Sequence, residues 1–199
     1  MAARIRLSLQ PPVDPAFAAR LPGFPSVWSP TRSHRYTLWR WWTPTPVTWG
    51  AMIGLNPSAA DDDFDDRTVR RCTDFVRREG VDAMVMLNAF AFMATDPGAM
   101  RAHLDPLGPD NDLWIGRCCA GARFVVAAWG AHGAHDGRSL RLAELVPDPL
   151  CFGVTAAGEP RHPLYLASTA PLVPWRTATA TPSGGRPCPA PDRSPASPR

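Results

Sequence analysis

The sequence predicts a three-layer α/β sandwich built around a short, mostly parallel sheet. Three observations predict it. Short apolar runs bounded by Gly, Pro and Asn alternate along residues 34–175 with segments whose apolar residues recur at helical spacing. The two kinds of segment follow one another at the length a strand needs to cross over and return parallel, which layers helices on the faces of a sheet. A chain of 199 residues, 45% of them hydrophobic, is long and apolar enough for one buried core.

Taken in order, residues 36–42 and 47–55 read as two strands parted by the turn Thr43-Pro44-Thr45-Pro46. A polar loop leads to a helix over 68–79. Val69, Cys72, Phe75 and Val76 fall at i, i+3, i+6 and i+7 and give it one apolar face. Asp65 or Asp66 stands where an N-cap belongs, and Gly80 ends the helix. Residues 81–87 are a continuous apolar run ending at Asn88, as in a strand covered on both faces. A short helix over 97–104 follows, then one over 111–120 whose acidic start suits the helix dipole. Residues 123–129 form another buried strand before Gly130, 138–145 a helix, and 150–154 a last short strand.

Outside this zone the chain changes character. Residues 1–33 carry six prolines without sustained periodicity and read as an irregular arm. Residues 176–199 carry six more among Ser, Thr and Arg, too little apolar surface to offset the entropy of ordering, and read as a disordered tail. The net charge of +3 lies in that tail: Arg176, Arg186, Arg193 and Arg199 stand against Asp192, and residues 1–175 are neutral. A neutral body argues against tight, sequence-independent binding to duplex nucleic acid. Every basic residue is Arg; the absence of Lys excludes a P-loop lysine, a lysine Schiff base and a pyridoxal anchor. Five cysteines without a C-x-x-C pair read as reduced thiols. No apolar leader and no run long enough to span a bilayer is evident, so a cytoplasmic protein with no membrane association is expected.

Ligand sites of open α/β sheets lie at the carboxyl ends of the strands. Here those ends carry Gly54-Leu55-Asn56-Pro57-Ser58, Asn88-Ala89-Phe90 and Trp129-Gly130, with His162-Pro163-Leu164-Tyr165 after the last strand. A parallel sheet gathers them into one crevice holding two carboxamides, an imidazole and an aromatic ring. That group is polar but mostly uncharged, which suits a ligand read by directional hydrogen bonds, such as a nucleobase edge. Plainer alternatives stand beside each residue: Asn56-Pro57-Ser58 as a turn, Asn88 as a strand-end cap, His162 as a structural loop histidine. The run Asp61-Asp62-Asp63-Phe64-Asp65-Asp66 offers a divalent cation with a nucleotide phosphate at Asp61 and Asp66, or simply a solvated loop that caps a helix; it lacks the Gly and Glu of an EF-hand loop. His132 and His135 have ligand-like spacing but no Cys partners. Arg70, Arg71, Arg77 and Arg78 line a polar helix face, from which Arg71 alone is placed to reach a phosphate.

Residues 35–165 resemble the bacterial domain-of-unknown-function family 1643. The matching residues are Arg35-Tyr36, Asn56-Pro57-Ser58 with Ala60-Asp61, and Asp66-x-Thr68-x-x-Arg71. Asn88, Thr95-Asp96-Pro97, Asn111-Asp112, Ala128-Trp129-Gly130 and Gly158-x-Pro160-x-His162-Pro163-Leu164-Tyr165 follow in order. Met93 departs from it where the family pattern has Arg. The order of strand-end motifs is also similar to that of the uracil-DNA glycosylase superfamily. Gly54-Leu55-Asn56-Pro57 resembles its water-activating motif, Met86-Leu87-Asn88 its base-reading strand, Ala128-Trp129-Gly130 its Leu-Trp-Gly strand, and His162-Pro163 its His-Pro-Ser motif.

The second resemblance implies a uracil-glycosylase-like sandwich and a nucleobase- or nucleotide-directed hydrolase that needs no cofactor. Asn56 would position a water, Asn88 would hydrogen-bond the base, and His162 would stabilise charge on the departing base. Phe64 or Phe90 would stack on it. Pro57, Ser58, Asp61, Asp66, Thr68, Arg71, Trp129 and Tyr165 complete the expected binding residues. The departures are the missing Asp at the general-base position and Leu164-Tyr165-Leu166 where that motif carries Ser. The expected partner is a nucleobase, nucleotide or single-stranded nucleic acid, and no protein partner is implied. Rival readings are a non-catalytic nucleotide or small-molecule binder and a metal-assisted phosphate-handling enzyme built on the acidic loop.

Overall fold

A computed structural model describes residues 26–176. The order of elements is β1 (Val27–Trp28), β2 (Arg35–Trp41), β3 (Trp49–Gly54), α1 (Arg67–Arg77), β4 (Ala83–Asn88), α2 (Pro97–Ala102), α3 (Asn111–Ala120) and β5 (Phe124–Ala127). A 3₁₀ segment (Ala131–Gly137), α4 (Arg138–Leu145), β6 (Leu150–Cys151), a 3₁₀ turn (Pro163–Tyr165) and β7 (Val173–Pro174) complete it. The strands lie in one sheet in the order β1-β2-β4-β3-β5-β6-β7.

Two expectations are corrected by this topology. The sheet is mixed rather than mostly parallel: β4-β3-β5-β6 run parallel, but β1, β2 and β7 add antiparallel edges. The arm is not irregular to residue 33, because β1 lies within it and pairs with β2. Neither two-residue edge strand has a period that a sequence pattern could reveal. The rest of the expected arm and nearly all of the expected tail lie outside the described residues.

β2 and β3, consecutive in the chain, do not pair with each other; β2 takes the free edge of β4. Asp82, just before β4, explains the order. Its Oδ2 accepts from the backbone of Val47 and Thr48 and from the Thr48 hydroxyl (3.1, 3.0 and 2.8 Å), which pins the start of β3 beside the start of β4. The crossover through α1 then returns the chain parallel, in the register Trp49↔Ala83 to Gly54↔Asn88.

Side-chain alternation along the strands divides the core in two. Ala51 and Ile53 of β3, Val85 and Leu87 of β4, and Val125 and Ala127 of β5 pack with Met100 of α2, Ile115 and Cys118 of α3 and Leu142 of α4. Met52, Met84, Met86, Phe124 and Val126 face the other way, against Val69, Cys72, Phe75 and Val76 of α1. The result is three layers, with α1 the one α-helix on its face among the described residues. Its apolar positions are those predicted, and Asp66 is its N-cap, accepting from the Val69 N–H. Cys72, Cys118, Cys119 and Cys151 are buried and unpaired, and burial pushes the Cys118 thiol up to about 12. Among the described residues no helix is long and apolar enough to cross a membrane.

Candidate functional site

The parallel strands β4, β3 and β5 end side by side, and the chain turns away from each at once. A strand end leaves backbone groups without ladder partners; here side chains and loops take them up. Beyond β4, the carbonyl of Asn88 accepts from Asn111 Nδ2 (3.0 Å), and that of Ala89 accepts from Asn111 Nδ2 (3.1 Å) and Arg138 Nε (2.6 Å). Asn111 and Arg138 are both buried, and Arg138 is ion-paired to Asp112 at 2.6 Å. Beyond β5, Trp129 donates from Nε1 to Glu159 (2.8 Å), whose other oxygen accepts from Ser139 (2.9 Å). The Gly130 N–H donates to the Pro160 carbonyl (2.9 Å), which fastens the segment bearing His162 to the end of β5.

Between these ends lies a cavity of about 420 Å³. Its lining includes eight of the expected residues: Asn56, Ser58, Asp66, Thr68, Asn88, Trp129, His162 and Tyr165. Gly54 makes room for two of its walls, since a Cβ there would stand 2.5 Å from Met86 Cε and 3.1 Å from Asn88 Oδ1. Asn88 is 2% exposed, and its carboxamide has no hydrogen-bond partner among the described residues. Asn56 is held differently. Its Nδ2 donates to the carbonyls of Pro57 (3.1 Å) and Ala94 (2.7 Å), which leaves Oδ1 as an acceptor.

His162 accepts at Nδ1 from the Leu164 N–H (3.4 Å), so the neutral ring carries its proton on Nε2. Burial holds its pKa below the ordinary imidazole value, and the charge of Asp66 only partly opposes this. Asp66 itself accepts at both oxygens, from Val69 N (2.8 Å) and Ser58 Oγ (2.6 Å). The Tyr165 ring, mostly exposed, lies 5.9 Å from that of His162 at the mouth.

Four expected residues do not line the cavity. Pro57 contributes its carbonyl to Asn56 and to the Ala94 N–H rather than its ring. Asp61 closes its own loop, accepting from Asp63 N (3.0 Å) and Phe64 N (2.8 Å). Arg71 donates to the Leu166 carbonyl and lies over the Phe75 ring, so it ties α1 to the following loop instead of reaching toward a ligand. Phe90 is buried in the core on the α3 and α4 side, its ring 5.7 Å from that of His135. The alternative stacking residue, Phe64, is exposed and also outside the lining.

The acidic run is similarly divided. Asp62 accepts from Ser26 N and Oγ (2.7 and 2.6 Å), Asp65 pairs with Arg40 at 2.6 Å, and Asp66 caps α1. Among the described residues no group of three or more His, Cys, Asp or Glu side chains could hold a metal ion. His132 lines the cavity, but its Nδ1 is 2.9 Å from Arg101 Nη1.

Sequence reasoning missed Arg35 as a site residue. It opens β2, is 2% exposed and lines the cavity. Its place in a matching motif was visible; its burial was not, because a charged residue at a strand start ordinarily reads as solvated. Asn111, Arg138 and Glu159 were missed too, since each acts through a backbone or ring far away in sequence.

A family model described as "Protein of unknown function (DUF1643)" matches residues 35–164. No curated protein and no solved structure matches the chain. The match begins at Arg35 and ends one residue before Tyr165, so it contains every other cavity-lining residue named above, and the chain belongs to this family of proteins of unknown function.

Proposed function

We propose that the cavity takes a nucleobase and that the protein hydrolyses the N-glycosidic bond of its nucleoside or nucleotide. The observation that carries this reading is Asn88, a buried residue whose carboxamide faces the cavity with neither donor nor acceptor used among the described residues. Neither amide atom is among those sealed from solvent, so both open on the cavity, and a ligand that displaces water there must supply the complementary donor and acceptor. The amide edge of a nucleobase does so bidentately.

The chemistry follows from the neighbours. Asn56 Oδ1 accepts a hydrogen bond from a water and turns its lone pair toward the anomeric carbon. The C–N bond breaks with its electrons passing to the base, and the water oxygen bonds to the sugar carbon. His162, neutral with its proton on Nε2, donates to the charge that develops on the base, and the proton released by the water completes the free base. A neutral donor suits this task because it stabilises the anion without first costing a buried charge.

One observation favours a second reading, a nucleotide-binding protein without catalysis. Asn56 is too weak a base to accept the water's proton, and both oxygens of the nearby carboxylate, Asp66, already accept hydrogen bonds.

Mass spectrometry of free base separates the two. Purified protein is incubated with nucleosides, nucleotides and oligonucleotides containing uracil, hypoxanthine or alkylated bases, alongside His162→Ala. Base release lost in the variant is the expected result; release from none of them refutes hydrolysis. Binding that Asn88→Ala weakens, without release, establishes the second reading.

A further inference from the structure

We propose that Arg35 and the first turn of α1 form a phosphate subsite within the same cavity, so that the ligand is a nucleotide rather than a nucleoside or a free base. The proposal rests on the nucleobase reading of Asn88 and deepens it. Arg35 is only 2% exposed, yet it makes no ion pair among the described residues. Nη1 donates to the Ala60 carbonyl, while among the described residues Nε and Nη2 have no acceptor. Of those two Nε is sealed from solvent, and Arg35 lines the cavity.

A permanently charged guanidinium in this position is costly. Taking a cation out of water is offset by close partners, and here one carbonyl is in place, with the Trp28 ring 5.6 Å away and the charges of Asp66, Asp62 and Asp61 farther off. Arg35 stays protonated all the same, since burial brings it down only to about 10. The planar fork matches two oxygens of one phosphate, as an ammonium would not.

The start of α1 adds donors on the same side. Thr68, second in the helix, lines the cavity, and its backbone N–H is among those a helix leaves unpaired at its N-terminus. Asp66 already serves Val69 and Ser58, so its charge balances Arg35 at a distance without occupying the guanidinium. Asn88 and Arg35 thus provide an uncharged base reader and a charged anchor in one cavity, at strand ends that neighbour each other in the β2-β4 pair. Arg71, the sequence's first choice for a phosphate contact, is bonded to Leu166 instead.

The test is calorimetric titration of wild type and Arg35→Lys. The probes are uridine and uridine 5′-monophosphate, inosine and inosine 5′-monophosphate, and a short single-stranded oligodeoxyuridylate. For wild type the expected result is a mononucleotide bound about 10- to 100-fold more tightly than its nucleoside, the size of a charge-assisted hydrogen-bonded contact. The lysine variant should lose that preference while keeping its nucleoside affinity. Equal binding of nucleoside and nucleotide by wild type overturns the phosphate subsite and leaves the base reading standing. A preference that survives in folded Arg35→Lys removes it from Arg35. Tight binding of the strand alone overturns a terminal phosphate, and binding of none of the probes overturns both readings. Should Arg35→Lys fail to fold, the wild-type comparison decides by itself.

Discussion

Gly54→Ala tests how the sheet shapes the cavity, because Gly50 on the same strand supplies a matched control. Both glycines lie on the α1-facing side of β3, separated by Met52. At Gly54 a Cβ would stand 2.5 Å from Met86 Cε and 3.1 Å from Asn88 Oδ1. The first neighbour is the end of a flexible side chain and swings aside at little cost. The second is the cavity's unpartnered carboxamide, which must retreat by a few tenths of an ångström.

Replacing a strand glycine recovers roughly 0.5–1 kcal/mol of chain entropy, against roughly 1–3 kcal/mol for crowding a packed site. The net is a loss of about 0–2.5 kcal/mol, or about 0–10 °C in melting temperature for a domain of this size. At Gly50 the Cβ meets Phe124 Cζ and Cε2 at 2.6 and 2.7 Å and Val76 Cγ1 at 2.9 Å, a rigid ring and a β-branched side chain in the core. That variant should lose about 3 kcal/mol, at the upper end for overpacking.

The assay is thermal unfolding paired with titration of the tightest nucleoside or nucleotide ligand of wild type. Gly54→Ala should melt close to wild type and bind at least about tenfold more weakly. Gly50→Ala should melt much lower and, while folded, bind normally. If the two variants melt alike and Gly54→Ala binds as wild type does, Asn88 is not the cavity's reader and the reasoning fails.

Asn111→Ala removes a side chain whose Nδ2 serves the carbonyls of Asn88 and Ala89; it should cost about 2–3 kcal/mol by denaturant unfolding, and a cost under half a kilocalorie would show that these bonds are not what sets the strand end. Because burial depresses the His162 pKa, the folded state disfavours its protonation: the stability contribution is fully present above pH 6.5, the ordinary imidazole value, and is lost as pH falls through the lower folded-state value. Melting curves across pH 4–8 should show this slope in wild type and a shallower one in His162→Asn; identical slopes would exclude the ring as its source. Asp66→Ala should lose about 0.5–2 kcal/mol from the cap of α1, and Asp66→Asn distinctly less, since an asparagine oxygen still accepts from Val69 N. Millimolar Mg²⁺ or Mn²⁺ should leave the melting temperature unmoved, because Asp62, Asp65 and Asp66 already have protein partners; a rise of several degrees would restore the acidic loop as a metal site.

Where a feature depends on neighbours a few residues away, the amino-acid sequence by itself determined it. The apolar stripe of α1, a cap at Asp65 or Asp66, the bounds of α3 and α4, and the ends of β3 and β4 to within one residue all follow from local periodicity and capping chemistry. So did the convergence of Asn56, Asn88, Trp129 and His162, since parallel strands end on one side.

Tertiary structure alone decided the rest. Strand order is a matter of long-range hydrogen bonds with no local signature, so nothing in residues 35–54 announces that β4 will lie between β2 and β3. The direction of a side chain beyond a strand end depends on where the backbone bends. Two residues past β4, that bend carries Phe90 into the α3 side of the core, while Asn88 opens on the cavity. Arg71 and Arg35 make the same point in opposite senses. A helix-face arginine found a carbonyl across the fold, and a strand-start arginine was enclosed with its Nε unpartnered among the described residues, because burial is a property of everything packed around a residue and not of the residue itself.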